Sequence, residues 1–174
     1  AKLGGGPVGG GNARVLGAKY SLATSRAVAS CDANDGVADG VLTDPRQCGY
    51  LAAGDATITK ASCAIDDASC LTPAEAAIID QSWLGPVNCP GGGSDCKVPA
   101  IATRDLRGKG AKRLWYGQPR GTDLVALGGA APFPVAIEQA RYWVYLDPEW
   151  NWNHLDHASY TGFFRDTVEK IGPM

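Results

Sequence analysis

Residues 31–40 read CDANDGVADG. Three carboxylates, Asp32, Asp35 and Asp39, stand within eight residues, between a cysteine and a second glycine. Carboxylates so closely spaced repel one another, and a divalent cation removes that cost. Calcium takes about six to eight hard oxygens from carboxylates, backbone carbonyls and water. Positions 35, 37, 39 and 41 alternate along an extended chain. A curled loop can therefore turn the side chains of Asp35 and Asp39 and the carbonyls of Val37 and Val41 toward one centre, with Asp32 completing the set. Gly36 and Gly40 permit the backbone angles such a curl needs. The spacing predicts a structural Ca2+ held by Asp32, Asp35, Val37, Asp39 and Val41. This is not an EF-hand: counted from Asp32 the fifth position is Gly36, and counted from Asp35 the twelfth is Arg46 rather than a bidentate glutamate. The competing reading is a solvated polar turn.

The six cysteines, at 31, 48, 63, 70, 89 and 96, must position this loop. No C-x-x-C pair occurs, which argues against a zinc site. Their local spacing favours three disulfides, 31 with 48, 63 with 70 and 89 with 96, over buried free thiols. Such bridges imply a secreted or periplasmic home. The first would close the acidic loop just outside both ends and add roughly 3 kcal/mol in the chain-entropy model.

The 174-residue length suggests one domain, 13–174, behind a Gly-rich flexible arm, 1–12. The chain starts AKLGGG without an initiator Met, which reads as a mature form or an excised piece. A net charge of -2 and scattered Lys and Arg give no pull toward nucleic acid or an anionic membrane. No apolar run is long enough to span a bilayer. Residues 17–30, rich in Ala, predict a helix delivering the chain to Cys31. In CLTPAEAAIIDQSWLGP, Thr72 is an N-cap, Pro73 fits the first turn, Glu75 completes a capping box, and Gly85-Pro86 stops the helix. RLWYG, 113–117, fits a strand, and 135–146 a helix ended by Asp147-Pro148. The Trp-rich stretch 142–152 is most simply core. The expected class is α+β, loop-rich and disulfide-stapled.

These segments resemble a known family. CDANDGVADGVLTDPRQC resembles the Cys-Asp-x-x-Asp-Gly-Val-x-Asp-Gly motif of the tannase and feruloyl esterase family, which also holds the bacterial hydrolase of a terephthalate half-ester. CLTPAEAAIIDQSWLGP is similar to that family's Cys-Leu-Thr helix, with Glu75 in place of the usual Gln. RLWYGQPRGTD and YLDPEWNW resemble two further stretches, the first with Asp123 where Glu is common. The resemblance covers about residues 18–165. It implies a lid domain inserted into an α/β-hydrolase domain of a serine esterase acting on esters of aromatic acids, with a structural calcium on the same five ligands.

The catalytic parts of that family have no match here. There is no Cys-Ser-x-Gly elbow, and neither His154 nor His157 precedes a cysteine. A triad needs nucleophile, base and orienter in one constellation. The expectation is a lid whose partner is the hydrolase domain of a parent enzyme and which is inactive alone. Trp115 and Tyr116 are candidates to stack on an aromatic acyl group, although Trp115 packing the lid core is the blander reading. Arg120 is a candidate to meet a substrate carboxylate, although a solvated surface arginine is the commoner outcome. His154 and His157 as a metal or catalytic pair are a weaker candidate. An isolated lid would expose its underside and self-associate. A free-standing extracellular calcium-stabilised binding module is the alternative.

Overall fold

The computed structural model describes residues 15, 17–85, 87–88, 112–113, 117–122, 124–125, 133–155 and 159–172. The arm at 1–12, the pair Cys89 and Cys96, and the residues Trp115, Tyr116 and His157 lie outside the described residues.

Helix α1 spans Gly17–Cys31. Lys19, Tyr20, Ala23, Ala27 and Cys31 are buried and recur at helical spacing, so one stripe faces inward. The small alanines let neighbouring backbone come close. Helix α2, Pro73–Leu84, begins with the expected capping box: Thr72 Oγ1 accepts from Glu75 N at 3.2 Å, and Glu75 carboxylate oxygen accepts from Thr72 N at 2.8 Å. Gly85 ends it at φ 78°. α2 is buried on nearly every side, with Ile78, Ile79, Trp83 and Leu84 in the interior.

One apolar cluster joins Tyr20, Ala23 and Ala27 of α1 with Ala52, Ile58, Leu71, the inner side chains of α2, and Leu124. Polar groups fasten it. Lys19 is fully buried, and its Nζ meets Glu75 at 2.8 Å and donates to the Ala64 carbonyl at 3.0 Å. Asp80 of α2 accepts from Ala52 N at 2.7 Å and Ala53 N at 3.0 Å, which pins the short 3-10 turn Ala52–Gly54. Burial pushes the Asp80 carboxyl up, and the two amides and Arg120 pull it back only in part. Gly117 lies against the end of α2, where an added Cβ would fall 2.5 Å from Gly85 N; Gln118 N then donates to Ser82 O at 2.9 Å. Only glycine fits that approach.

Of the strand expected over 113–117, Arg113 lies in a strand, Gly117 does not, and 114–116 lie outside the described residues. β1, Val87–Asn88, pairs antiparallel with β2, Lys112–Arg113. The α+β expectation is thus carried by one two-residue pair, and the described architecture is helical.

The third helical segment starts as α3, Pro134–Gln139, and continues as a π-helical turn, Ala140–Val144. Tyr145 N donates to Ala140 O at 2.9 Å, and Asp147 N to Arg141 O at 2.8 Å. Its extent matches the sequence reading; its regularity does not. α4, Tyr160–Ile171, packs against the π turn. Tyr145, Trp150 and Phe163 stack, with centroids 5.2 and 6.1 Å apart. Lys170 Nζ donates to Val144 O at 2.7 Å. The expectation that 142–152 is core needs correction. Trp143 is 68% exposed and Tyr142 51% exposed, because the buried face of this segment is taken by Ala140 and Val144.

Candidate metal centre

Two of the three predicted disulfides fall among the described residues, and both form: Cys31–Cys48 and Cys63–Cys70. The first links the end of α1 to the end of the 3-10 turn Pro45–Gln47. Between its ends runs the acidic loop. α1 passes directly into a tight turn, Asp32–Asp35, which Gly36 closes at φ 92°. Gly40 adopts φ 81°. Both are the left-handed positions that a curled loop requires of glycine.

Each carboxylate folds back on the loop. Asp32 Oδ1 accepts from Gly40 N at 2.8 Å, across the loop. Asp35 Oδ1 accepts from Val37 N at 3.0 Å and its Oδ2 from the Thr43 hydroxyl. Asp39 Oδ1 accepts from Val41 N at 3.0 Å. The Thr43 hydroxyl and the Val37 amide hold the Asp35 carboxyl below the usual range, so it is ionised at neutral pH. Asp44 is held lower still by the side chains of Arg46 and Gln47. It caps the next turn by accepting from Arg46 N at 3.1 Å. A shallow cleft lined by Asn34, Asp35, Thr43 and Asp44 opens beside the Cys31–Cys48 bridge.

The loop offers oxygens of the hard type that calcium takes. The carbonyls of Val37 and Val41, and the second oxygens of Asp32 and Asp39, accept no hydrogen bond from the described residues. The loop is solvent-facing, with Val37 56% and Val41 59% exposed. Among the described residues, the one trio of metal-ligating side chains drawn within 4.8 Å is Cys63, Asp67 and Cys70, and its two sulfurs are bonded to each other. The acidic loop therefore supplies donor chemistry on a curled, bridged backbone, with its carboxylates spread rather than gathered.

The other predicted site residues separate from the loop. Arg120 is not a solvated surface residue: it is 5% exposed. Its Nε donates to the Tyr50 carbonyl at 2.6 Å, and its guanidinium carbon lies 5.6 Å from the Trp83 ring centroid. This packing braces α2 against the 117–122 segment. His154 is exposed at the end of a 3-10 turn, Trp152–His154. Sequence reading missed the Lys19–Glu75 pair, whose partners lie 56 residues apart. It also missed the bond from Arg26 Nε to Asp55 at 2.9 Å. Burial pushes the Asp55 carboxyl up, but Arg26, Thr57 and Tyr50 outweigh it and hold that group well below the usual range.

A family model described as tannase and feruloyl esterase matches residues 8–105, which contain the acidic loop, both described disulfides and α2. A protein named as an uncharacterized esterase of Xanthomonas campestris pv. campestris is 38% identical over 76 residues. The match takes 44% of this chain and 12% of that protein. The crystal structure of feruloyl esterase B from Aspergillus oryzae matches 98% of this chain at a TM-score of 0.65 and 18% identity, using 29% of its own length. An esterase structure from the same organism matches 95% of this chain at 0.64, using 28% of its own length. The likeness at that identity is one of fold. The chain spans less than a third of each solved relative and about an eighth of the curated one. With more than half its residues under the family model, the chain belongs to the tannase and feruloyl esterase family.

Proposed function

We propose that this chain is the calcium-binding lid of a serine esterase that cleaves esters of aromatic acids. The observation that carries the reading is the acidic loop itself. Three carboxylates sit on a curled backbone fastened by Cys31–Cys48, inside the segment that the family model matches. Asp32, Asp35 and Asp39 and the carbonyls of Val37 and Val41 would hold the ion. Calcium would neutralise the clustered charge and lock the loop; it would stand apart from the chemistry. The lid, taken as 13–174, would cover the active site of an α/β-hydrolase domain, exclude water and shape the acyl pocket. Trp115 and Tyr116 are the candidates for stacking on the aromatic acid.

Two findings support a part over a free-standing module. The solved relatives are more than three times longer than the segment they share with this chain. The sequence also has no Cys-Ser-x-Gly or Gly-x-Ser-x-Gly elbow to supply a nucleophile. The two disulfides support a secreted or periplasmic location. No described helix is long and apolar enough to cross a membrane.

The test is calorimetric calcium titration of EGTA-stripped protein beside an Asp39→Ala variant. One site is expected, lost in the variant. At calcium a hundredfold above Kd the wild type should gain about 2.7 kcal/mol of stability. Neither heat nor a melting shift in the folded wild type would make the loop a polar turn and remove the ion from the reading. Esterase turnover on aromatic-acid esters by the full-length polypeptide tests the second half.

A further inference from the structure

The Cys63–Cys70 bridge stands in an asymmetric field. The fully buried Lys19 aims its Nζ at Cys63 Sγ from 3.8 Å, while Asp67 Oδ2 lies 3.3 Å from Cys70 Sγ. The Lys19 ammonium also donates to both Glu75 oxygens, at 2.9 and 2.8 Å, so α2 fixes it in place beside the bridge. Its charge reaches the loop: after the Ser69 hydroxyl and amide, Lys19 and Lys60 help hold the Asp67 carboxyl below its usual range. Among the described residues, the charged groups around the bridge are Lys19 of α1, Glu75 of α2, and Lys60, Asp66 and Asp67 along its own loop. Residues 64–69 are all exposed, so the bridge lies under a short loop open to solvent. Cys31–Cys48 differs: the polar contact described for its sulfurs is the neutral Ala27 carbonyl, 3.7 Å from Cys48 Sγ.

Each half of the opened bridge meets a different neighbour. A Cys63 thiolate accepts from the Lys19 ammonium, and an opposite charge nearby favours the ionised form. A Cys70 thiol donates to the Asp67 carboxylate, which favours the protonated form. In thiol–disulfide exchange the sulfur of lower pKa leaves faster. Cys63 is therefore the better leaving group, and Cys70 the sulfur to be attacked. The incoming thiol passes Asp66 and Asp67, two exposed carboxylates. They repel a thiol that carries a carboxylate and attract one that carries an ammonium.

We propose that Cys70 is a modification site, thiolated by small cationic aminothiols with Cys63 as the leaving sulfur. The aminothiol's thiolate bonds to Cys70 Sγ, the Cys63–Cys70 bond breaks, and its electron pair stays on Cys63 as a thiolate held by Lys19. The aminothiol sulfur is oxidised and Cys63 is reduced, so no further oxidant or reductant enters. Cys70 stands two residues before Thr72, so the modified loop opens beside the cap of α2. The proposal depends on neither the calcium loop nor the esterase reading.

The test is mass spectrometry of the oxidised, folded full-length polypeptide after brief treatment with limiting cysteamine and trapping with iodoacetamide. Cysteamine on Cys70 with an alkylated Cys63 should exceed the reverse pattern about tenfold, a bias of the size that one nearby opposite charge gives a thiol. At equal thiolate concentration cysteamine should react faster than mercaptoacetate, and Asp67→Asn should narrow that gap. Lys19→Met with Glu75→Gln removes the ammonium and keeps the α2 cap; the Cys70 bias should fall severalfold. In a Cys70→Ser chain, alkylation of Cys63 should reach half its maximum rate at lower pH with Lys19 present than in that double variant, a shift that a merely structural loss would not give. Equal labelling of the two cysteines, an excess of adduct on Cys63, or a bias unchanged by the double variant overturns the proposal. So do mercaptoacetate reacting as fast as cysteamine, adducts that gather on Cys31–Cys48 instead, and a Cys63–Cys70 bridge that reacts only in urea.

Discussion

Between Gly17 and Leu84, two helices bury a lysine and a glutamate against each other, and two disulfides close the loops around them. Between Pro134 and Ile171, two helices bury Ala140 and Val144 but leave a tryptophan and a leucine in water. The first region spends its polar side chains inward, and every charge it buries has a partner. The second spends apolar side chains outward. The difference teaches what each region is built to do. The first is self-contained and presents a rigid acidic loop. The second buries Ala140 and Val144 and leaves large apolar side chains exposed beside charged ones. Burial of polar groups in one place and exposure of apolar groups in another are both costly. Only the first cost is offset within the described residues.

The hardest way to break the comparison is to break the buried pair. Lys19→Met leaves the Glu75 carboxylate buried with only the Thr72 groups to satisfy it. Removing one partner of a buried ion pair costs about 3 kcal/mol. The unfolding free energy extrapolated from a urea titration should fall by that amount, through a lower midpoint at unchanged slope. Lys19→Met with Glu75→Gln should recover most of the loss, since Gln at this position keeps the capping box and carries no charge. A single variant as stable as wild type would mean that the first region is not held from within.

That pair also marks the limit of what the sequence discloses. The capping box at Thr72 and Glu75 is legible because its parts lie three residues apart and obey a local rule. The helix over 17–30 and the two local disulfides are legible for the same reason. Nothing local in GAKYSL shows that Lys19 is buried, or that the buried partner is the same Glu75 that caps α2. Arg120 fails likewise: a glycine- and proline-flanked arginine looks solvent-facing, and only the fold brings Trp83 and Tyr50 around it. The aromatic run at 142–152 fails in the opposite sense. Apolar composition says that a side chain seeks burial, but not whether the burying surface belongs to the same segment. The acidic loop lies between these cases. Its glycines take the left-handed angles that the spacing demands, while its carboxylates stay spread, each bonded back onto the loop.

A milder probe is acidity. Asp55 has a depressed pKa because Arg26, Thr57 and Tyr50 bind its ionised form more strongly than burial opposes it. The stability it contributes is present above the ordinary aspartate pKa of about 3.9 and is lost as pH falls below that value toward the folded pKa. Asp80 has the opposite sign. Its raised pKa makes its charge a cost at neutral pH, relieved as pH falls through the folded value. Unfolding free energy measured from pH 6 to pH 3 should therefore decline in wild type. The decline should be shallower in Asp55→Asn, which has already lost the charge. An equal slope in both would assign the acid sensitivity elsewhere, with the other depressed carboxylates of this region, Asp35, Asp44 and Asp67, as the next candidates.

The smallest expected effect sharpens the comparison most. Trp143→Ser with Leu146→Ser removes two large apolar side chains, a change that in a core costs several kcal/mol, about 3–5 for the tryptophan alone. On this chain by itself both side chains are mostly in water, so the loss should stay within about 0.5 kcal/mol. Relief of the left-handed leucine offers no gain, since serine there is strained as well. Solubility at high concentration should rise, because large exposed apolar side chains favour association. A thermal unfolding curve that drops by several degrees instead would show that Trp143 packs against its own chain. The second region would then be as self-contained as the first. An unchanged curve, beside the loss expected for Lys19→Met, would locate the work of these side chains outside this chain's own stability.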